Sequence, residues 1–212
     1  MPFSSQEFFA VFSRYNTAVW PAQAALLALG LLAAYLAFRP RPWSHRVVAA
    51  SLAMLWIWMG VVYHLHFFRV INPAALLFGL LFLAQAALLL WRGVVRDRLR
   101  FQAPHTWRGV AGAALIVYAF VVYPLLGRMF GHVYPASPTF GLPCPTTIAT
   151  LGILLWAAGP VPVGPAVIPV LWSAIGSSAA FRLDVYEDLG LAVAGVLMLI
   201  VLAVERRTDE TR

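Results

Sequence analysis

The sequence predicts an all-α fold: a polytopic membrane bundle of about seven transmembrane helices. Three observations carry this. Of 212 residues, 62% are hydrophobic and 11% charged, where soluble domains carry about a quarter charged. Mean hydropathy is +0.82. The apolar residues also gather into runs close to the roughly 20 residues that one bilayer crossing needs.

Taken in order, Ser4 and Glu7 match a capping box, and Phe8, Phe9, Val11 and Phe12 make a greasy stripe. Residues 1–17 therefore read as an interfacial N-terminal helix. Met1 to Arg14 offer neither the basic n-region nor the small-residue cleavage site of a signal peptide. Residues 18–204 hold seven apolar segments, at about 18–38, 46–66, 73–92, 108–128, 143–159, 163–181 and 186–204. The fifth and sixth are short and divided by Gly159-Pro160-Val161-Pro162. They read as two spans or as one re-entrant unit, a break tolerated only where protein or a cavity covers it. Residues 205–212 form a tail.

All fifteen basic residues are Arg, giving a formal charge of +7. They lie in short loops rather than in one basic patch, so nucleic acid is not an expected partner. Eleven fall in the 39–46 loop, the 92–108 loop and the tail, and four (Arg14, Arg69, Arg128, Arg182) on the opposite side. The positive-inside rule puts the eleven in the cytoplasm. The N-terminus is then outside, the C-terminus cytoplasmic and the span count odd; seven fits, and five satisfies the same parity. Gly109, Gly112, Gly190 and Gly195 suit close helix contacts, and Gln23, Gln85 and Ser51 are placed to bond across helices. A single Cys excludes an intrachain disulfide.

On this topology His64, His66, His132, Cys144, Asp184, Glu187 and Asp188 all fall at the outer face. His64-Leu65-His66 closes the second span. On a continuing helix the two point roughly 200° apart; only an extended backbone would aim both at one ion. Otherwise they are interfacial histidines bonded to neighbours. His132 stands in a stiff Pro-rich loop that leads to Pro143-Cys144-Pro145-Thr146-Thr147. Pro145 suits the first turn of a helix, which puts Cys144 at its N-cap, where the dipole favours a thiolate. The alternative there is a small residue at a crowded cap. The Cys-Pro pair is similar to that of the transport helix of heavy-metal pumping ATPases, although nothing else of those pumps is present. Asp184, Glu187 and Asp188 open the last span. Asp184 and Asp188 share a face at i, i+4 if the segment is helical, and capping explains one or two of the three. Arg182 or Arg128 is placed to neutralise one.

Several stretches resemble a family of bacterial multi-pass membrane proteins with no assigned activity. They are Trp58-Met59-Gly60-Val61-Val62-Tyr63-His64, Ile71-Asn72-Pro73-Ala74, Gly131-His132 with Tyr134-Pro135, Pro143-Cys144-Pro145-Thr146-Thr147 and Glu187-Asp188-Leu189. The resemblance runs over nearly the whole chain. It implies a bacterial inner-membrane protein and supplies no chemistry. Retinal-binding rhodopsins need a Schiff-base lysine, and this chain has none. Membrane zinc hydrolases similar to alkaline ceramidase and the adiponectin receptors gather several His with an Asp, but their His-x-x-x-His pair on the last span is missing here.

The leading expectation is a transition-metal-binding or metal-handling site at the outer face. Its ligands are His64, His132 and Cys144, with His66, Asp184, Glu187 and Asp188 secondary. Mixed N, S and O donors suit zinc or copper. Transport fits this reading, although no charged residue lies mid-bilayer to mark an ion path. One alternative is a zinc-dependent hydrolase at the outer leaflet, with metal-bound water as nucleophile and Asp188 or Glu187 as base. A b-type haem between His64 and His132 is a variant of it. Another is a non-catalytic accessory subunit. Its partners are the bilayer and a second copy or a larger membrane complex.

Overall fold

The computed structural model describes residues 2–210, so Arg212 of the charge argument lies outside the described residues. The chain is all helical, with no strand among those residues. Eight helical units run in order: α1 Ser5–Val19, α2 Ala22–Phe38, α3 Ser44–Val70, α4 Ala75–Val95, α5 Trp107–Met129, α6 Pro143–Leu155, α7 Val163–Arg182 and α8 Tyr186–Arg207.

Five of them (α3, α4, α5, α7 and α8) are long and apolar enough to cross a membrane. A sixth span is possible if α1 and α2, bent by 92° between Val19 and Ala22, count as one. The expected fifth segment becomes α6, only 13 residues long. At 1.5 Å per residue that is about 20 Å, short of a hydrocarbon core of about 30 Å. Every residue of α6 except Cys144 is buried. It is a central post wrapped by α2, α5, α7 and α8. Close approach is possible because small residues meet: a Cβ added to Gly112 of α5 would lie 2.8 Å from the Gly152 carbonyl oxygen of α6.

Two irregularities follow from proline. Pro124 cannot donate to the carbonyl one turn earlier, and α5 widens into a π turn over Tyr118–Val122 just before it. Inside α7, Pro169 leaves the Pro165 carbonyl without its helical donor. Gln85 of α4 supplies the missing bond, its Nε2 donating to Pro165 O at 2.8 Å. Trp56 Nε1 likewise donates to Thr150 Oγ1 at 3.1 Å, tying α3 to the central post.

Side chains form two cores. The larger surrounds α6 and includes Trp56, Phe82, Tyr123, Ile148, Leu151 and Trp172. The smaller is rich in aromatic rings and sits where α1 meets α3 and the start of α8. Ser4 and Glu7 form the expected capping box, Ser4 N donating to Glu7 Oε2 at 2.8 Å. Phe8, Val11, Phe12, Tyr15 and Asn16 recur at helical spacing and are all buried in protein.

Candidate functional site

The segment before α8 sets the geometry. Asp184 has φ 59°, so the chain is not helical there. Leu183 and Val185 turn into the aromatic core and Asp184 and Tyr186 turn out. A single 3₁₀ turn, Tyr186–Asp188, then carries Glu187 and Asp188 inward, 0% and 2% exposed. The expected shared face of Asp184 and Asp188 therefore does not form, because the left-handed residue breaks the helical register. Among the described residues, Asp184 accepts only from Tyr186 Oη, at 3.0 Å.

Each buried carboxylate has its own partners. Glu187 Oε1 meets His132 Nδ1 at 2.8 Å, with the imidazole 12% exposed and its ring against Phe9 of α1 at 4.6 Å. Glu187 Oε2 is buried without a partner. Gly127 makes the space, since a Cβ there would press on Glu187 Oε1 at 3.1 Å. Asp188 Oδ1 accepts from Tyr123 Oη at 2.6 Å, and the Cys144 thiol is its other polar neighbour. Neither Arg182 nor Arg128 reaches either carboxylate. The side chain that meets Glu187 is His132.

His64 is fully buried, and among the described residues neither ring nitrogen has a hydrogen-bond partner. Its neighbours are aromatic: Phe82 at 4.6 Å, Trp172 at 5.1 Å and Tyr63 at 5.1 Å between ring centroids. α3 stays helical, in π form, through Phe67. His66 consequently points elsewhere, exposed beside Phe67. Among the described residues no three His, Cys, Asp or Glu side chains converge so as to hold a metal ion. The seven expected ligands thus separate into the pair His132–Glu187, the pair Cys144–Asp188, and His64, His66 and Asp184 apart. Aromatic rings fill the space beside His64 where a shared ion would have to sit.

Of these groups, Cys144 and Asp188 line a chamber of about 290 Å³. Phe3, Phe8 and Phe12 of the N-terminal segment roof it; Tyr63, Phe68 and Trp172 wall it. Asp188, Cys144 and Tyr123 meet it along one side. Cys144 is half-buried, its exposure opening onto this space. Among the described residues, Asp188 is the only charged side chain in the lining. A second hollow of about 420 Å³ lies on the other side of Tyr123, with Arg128 and His132 in its wall.

The reading from residue types missed Tyr123, Trp172 and Asn16. Asn16 binds α1 to the 130–142 loop, donating to Pro135 O at 2.6 Å and Ser137 O at 2.8 Å. A polar residue one helical turn beyond the Phe8–Phe12 stripe was the available signal for it.

The whole chain matches one family profile, over residues 5–212. The chain belongs to DUF6064, a family of unknown function. No curated protein and no solved structure matches it. Membership in the family agrees with the resemblance carried by the His64, Cys144 and Glu187-Asp188 stretches, and it brings no reaction with it.

Proposed function

We propose that this protein is an integral membrane protein that binds an apolar small molecule in the chamber beneath α1. The observation that carries the reading is the chamber's composition: aromatic walls, with Asp188, Cys144 and Tyr123 among its few polar groups. Small-molecule sites have this character, mostly apolar with a few placed polar atoms. The Arg asymmetry supports an outward-facing chamber and a cytoplasmic 92–108 loop, in a bacterial inner membrane by the family resemblance.

Zinc or copper handling, with or without hydrolysis, has less support. The candidate ligands stand in separate pairs, and an open three-ligand site is what metal catalysis needs. Metal analysis of purified protein tests that reading directly.

Cys144 is the sole thiol and lines the chamber, so it reports on occupancy. Apolar compounds that fit should slow its modification by N-ethylmaleimide, read by intact mass. A panel of such compounds that never changes the rate, on a thiol that does react, would refute the binding reading. A membrane-impermeant maleimide that labels only inside-out vesicles would reverse the proposed orientation.

A further inference from the structure

We infer that the chamber's ligand is a lipophilic monocation, an organic ammonium whose charge sets against Asp188 and whose body packs on the aromatic walls. This rests on the chamber being a binding site and names the class of molecule it takes.

The argument begins with an unmatched charge. Asp188 is 2% exposed, and among the described residues no Arg or His forms an ion pair with it. Of the imidazoles at this end, His132 is committed to Glu187, His64 has no hydrogen-bond partner among the described residues, and His66 is exposed beside Phe67. Tyr123 Oη donates to Asp188 Oδ1 at 2.6 Å. Tyr123 and Cys144 supply dipoles and no cation. Removing a carboxylate from water is costly unless it is both paired and hydrogen-bonded. Here the second condition is met and the first is open towards the chamber.

The walls argue the same way. Phe3, Phe8, Phe12, Phe68, Phe78 and Trp172 surround the space. Aromatic faces carry negative potential and attract cations, most strongly where water is excluded. No basic side chain lines the chamber, so nothing there opposes a positive ligand. An anion would meet Asp188 with Glu187 directly behind it. A neutral hydrocarbon would leave Asp188 unmatched. A bare metal cation asks for more oxygen or nitrogen ligands than converge here. The volume, about 290 Å³, suits a ligand built on one ring or a short chain.

The test compares two molecules of one shape: phenyltrimethylammonium and its uncharged carbon analogue tert-butylbenzene. Each, radiolabelled, is dialysed to equilibrium against the full chain in zwitterionic-lipid nanodiscs, with empty nanodiscs subtracted. The cation should bind at least tenfold more tightly than the hydrocarbon. Asp188→Asn should remove at least tenfold of the cation's affinity and leave the hydrocarbon's unchanged. Equal or tighter binding of tert-butylbenzene overturns the charge inference and leaves the chamber reading intact. Binding of neither overturns both. The wild-type comparison decides the matter even if Asp188→Asn fails to fold.

Discussion

The two ends of the bundle each hold a carboxylate of α8, half-buried at Glu205 and buried at Asp188, and they treat it differently. At the Arg-rich end, Glu205 has an arginine and a backbone donor: Arg108 Nη1 reaches its Oε1, and Val161 N donates to its Oε2 at 2.8 Å. The same guanidinium also donates to Ala157 O and Gly159 O. This acid is a clip that holds α5, α8 and the 156–162 turn together. At the other end, Asp188 has two weakly acidic neighbours and no cation, and it borders a hollow. A carboxylate with all its partners inside the protein contributes to the fold. One whose countercharge is missing marks a place where something else can supply it.

Substitutions can break or sharpen that contrast. The largest effect is expected at the clip. Arg108→Ala strands Glu205 and two carbonyls, and should cost about 2–3 kcal/mol, less than a fully buried pair because both side chains are partly exposed. A thermal melt in detergent reads it; an unchanged midpoint would remove one side of the comparison. Gln85→Leu comes next. It leaves the Pro165 carbonyl buried without a donor, for about 1–3 kcal/mol by the same measurement. Gly127→Ala should cost about 1–2 kcal/mol by overpacking against Glu187. Combined with Glu187→Ala it should cost clearly less than the two singles together, since the shared contact is gone; strict additivity would show that Gly127 acts elsewhere.

Asp188→Asn is the sharpest discriminator despite its small expected effect on stability. It keeps the shape and an acceptor for Tyr123 and discards an uncompensated charge, so its midpoint should equal or exceed that of wild type. A loss comparable to Arg108→Ala would mean that Asp188 is as structural as Glu205. The smallest change is expected at His64. Both its nitrogens already lack partners, so His64→Phe should fall within about 0.5 kcal/mol of wild type or slightly above it. It should also leave metal content unchanged.

Much of the fold was legible in advance. Helices α4, α5, α7 and α8 lie within a few residues of the apolar runs at 73–92, 108–128, 163–181 and 186–204. The capping box at Ser4 was legible too. The role of the 143–159 segment was not, because hydropathy does not distinguish a helix bathed in lipid from one wrapped in protein. Its short length and the meeting of Gly112 with Gly152 are what make α6 a buried post. At the site, Glu187, Asp188, Cys144 and His132 were singled out and do lie near one another. Among the described residues they do not converge as one group of three, because side-chain direction depends on the left-handed Asp184 and on how α5 presents Tyr123.

The sequence alone determined that this chain is helical and where most of its apolar helices run. Those properties are local. Backbone groups in a membrane must bond within their own helix, and apolar length is read residue by residue. The tertiary structure alone decided who meets whom. Gln85 serves a carbonyl eighty positions away, His132 answers Glu187 rather than a metal, and Asp188 faces an aromatic hollow. Such pairings depend on the rotation and depth of whole helices, set by the packing of small residues and prolines against distant partners, and no stretch of sequence contains them by itself.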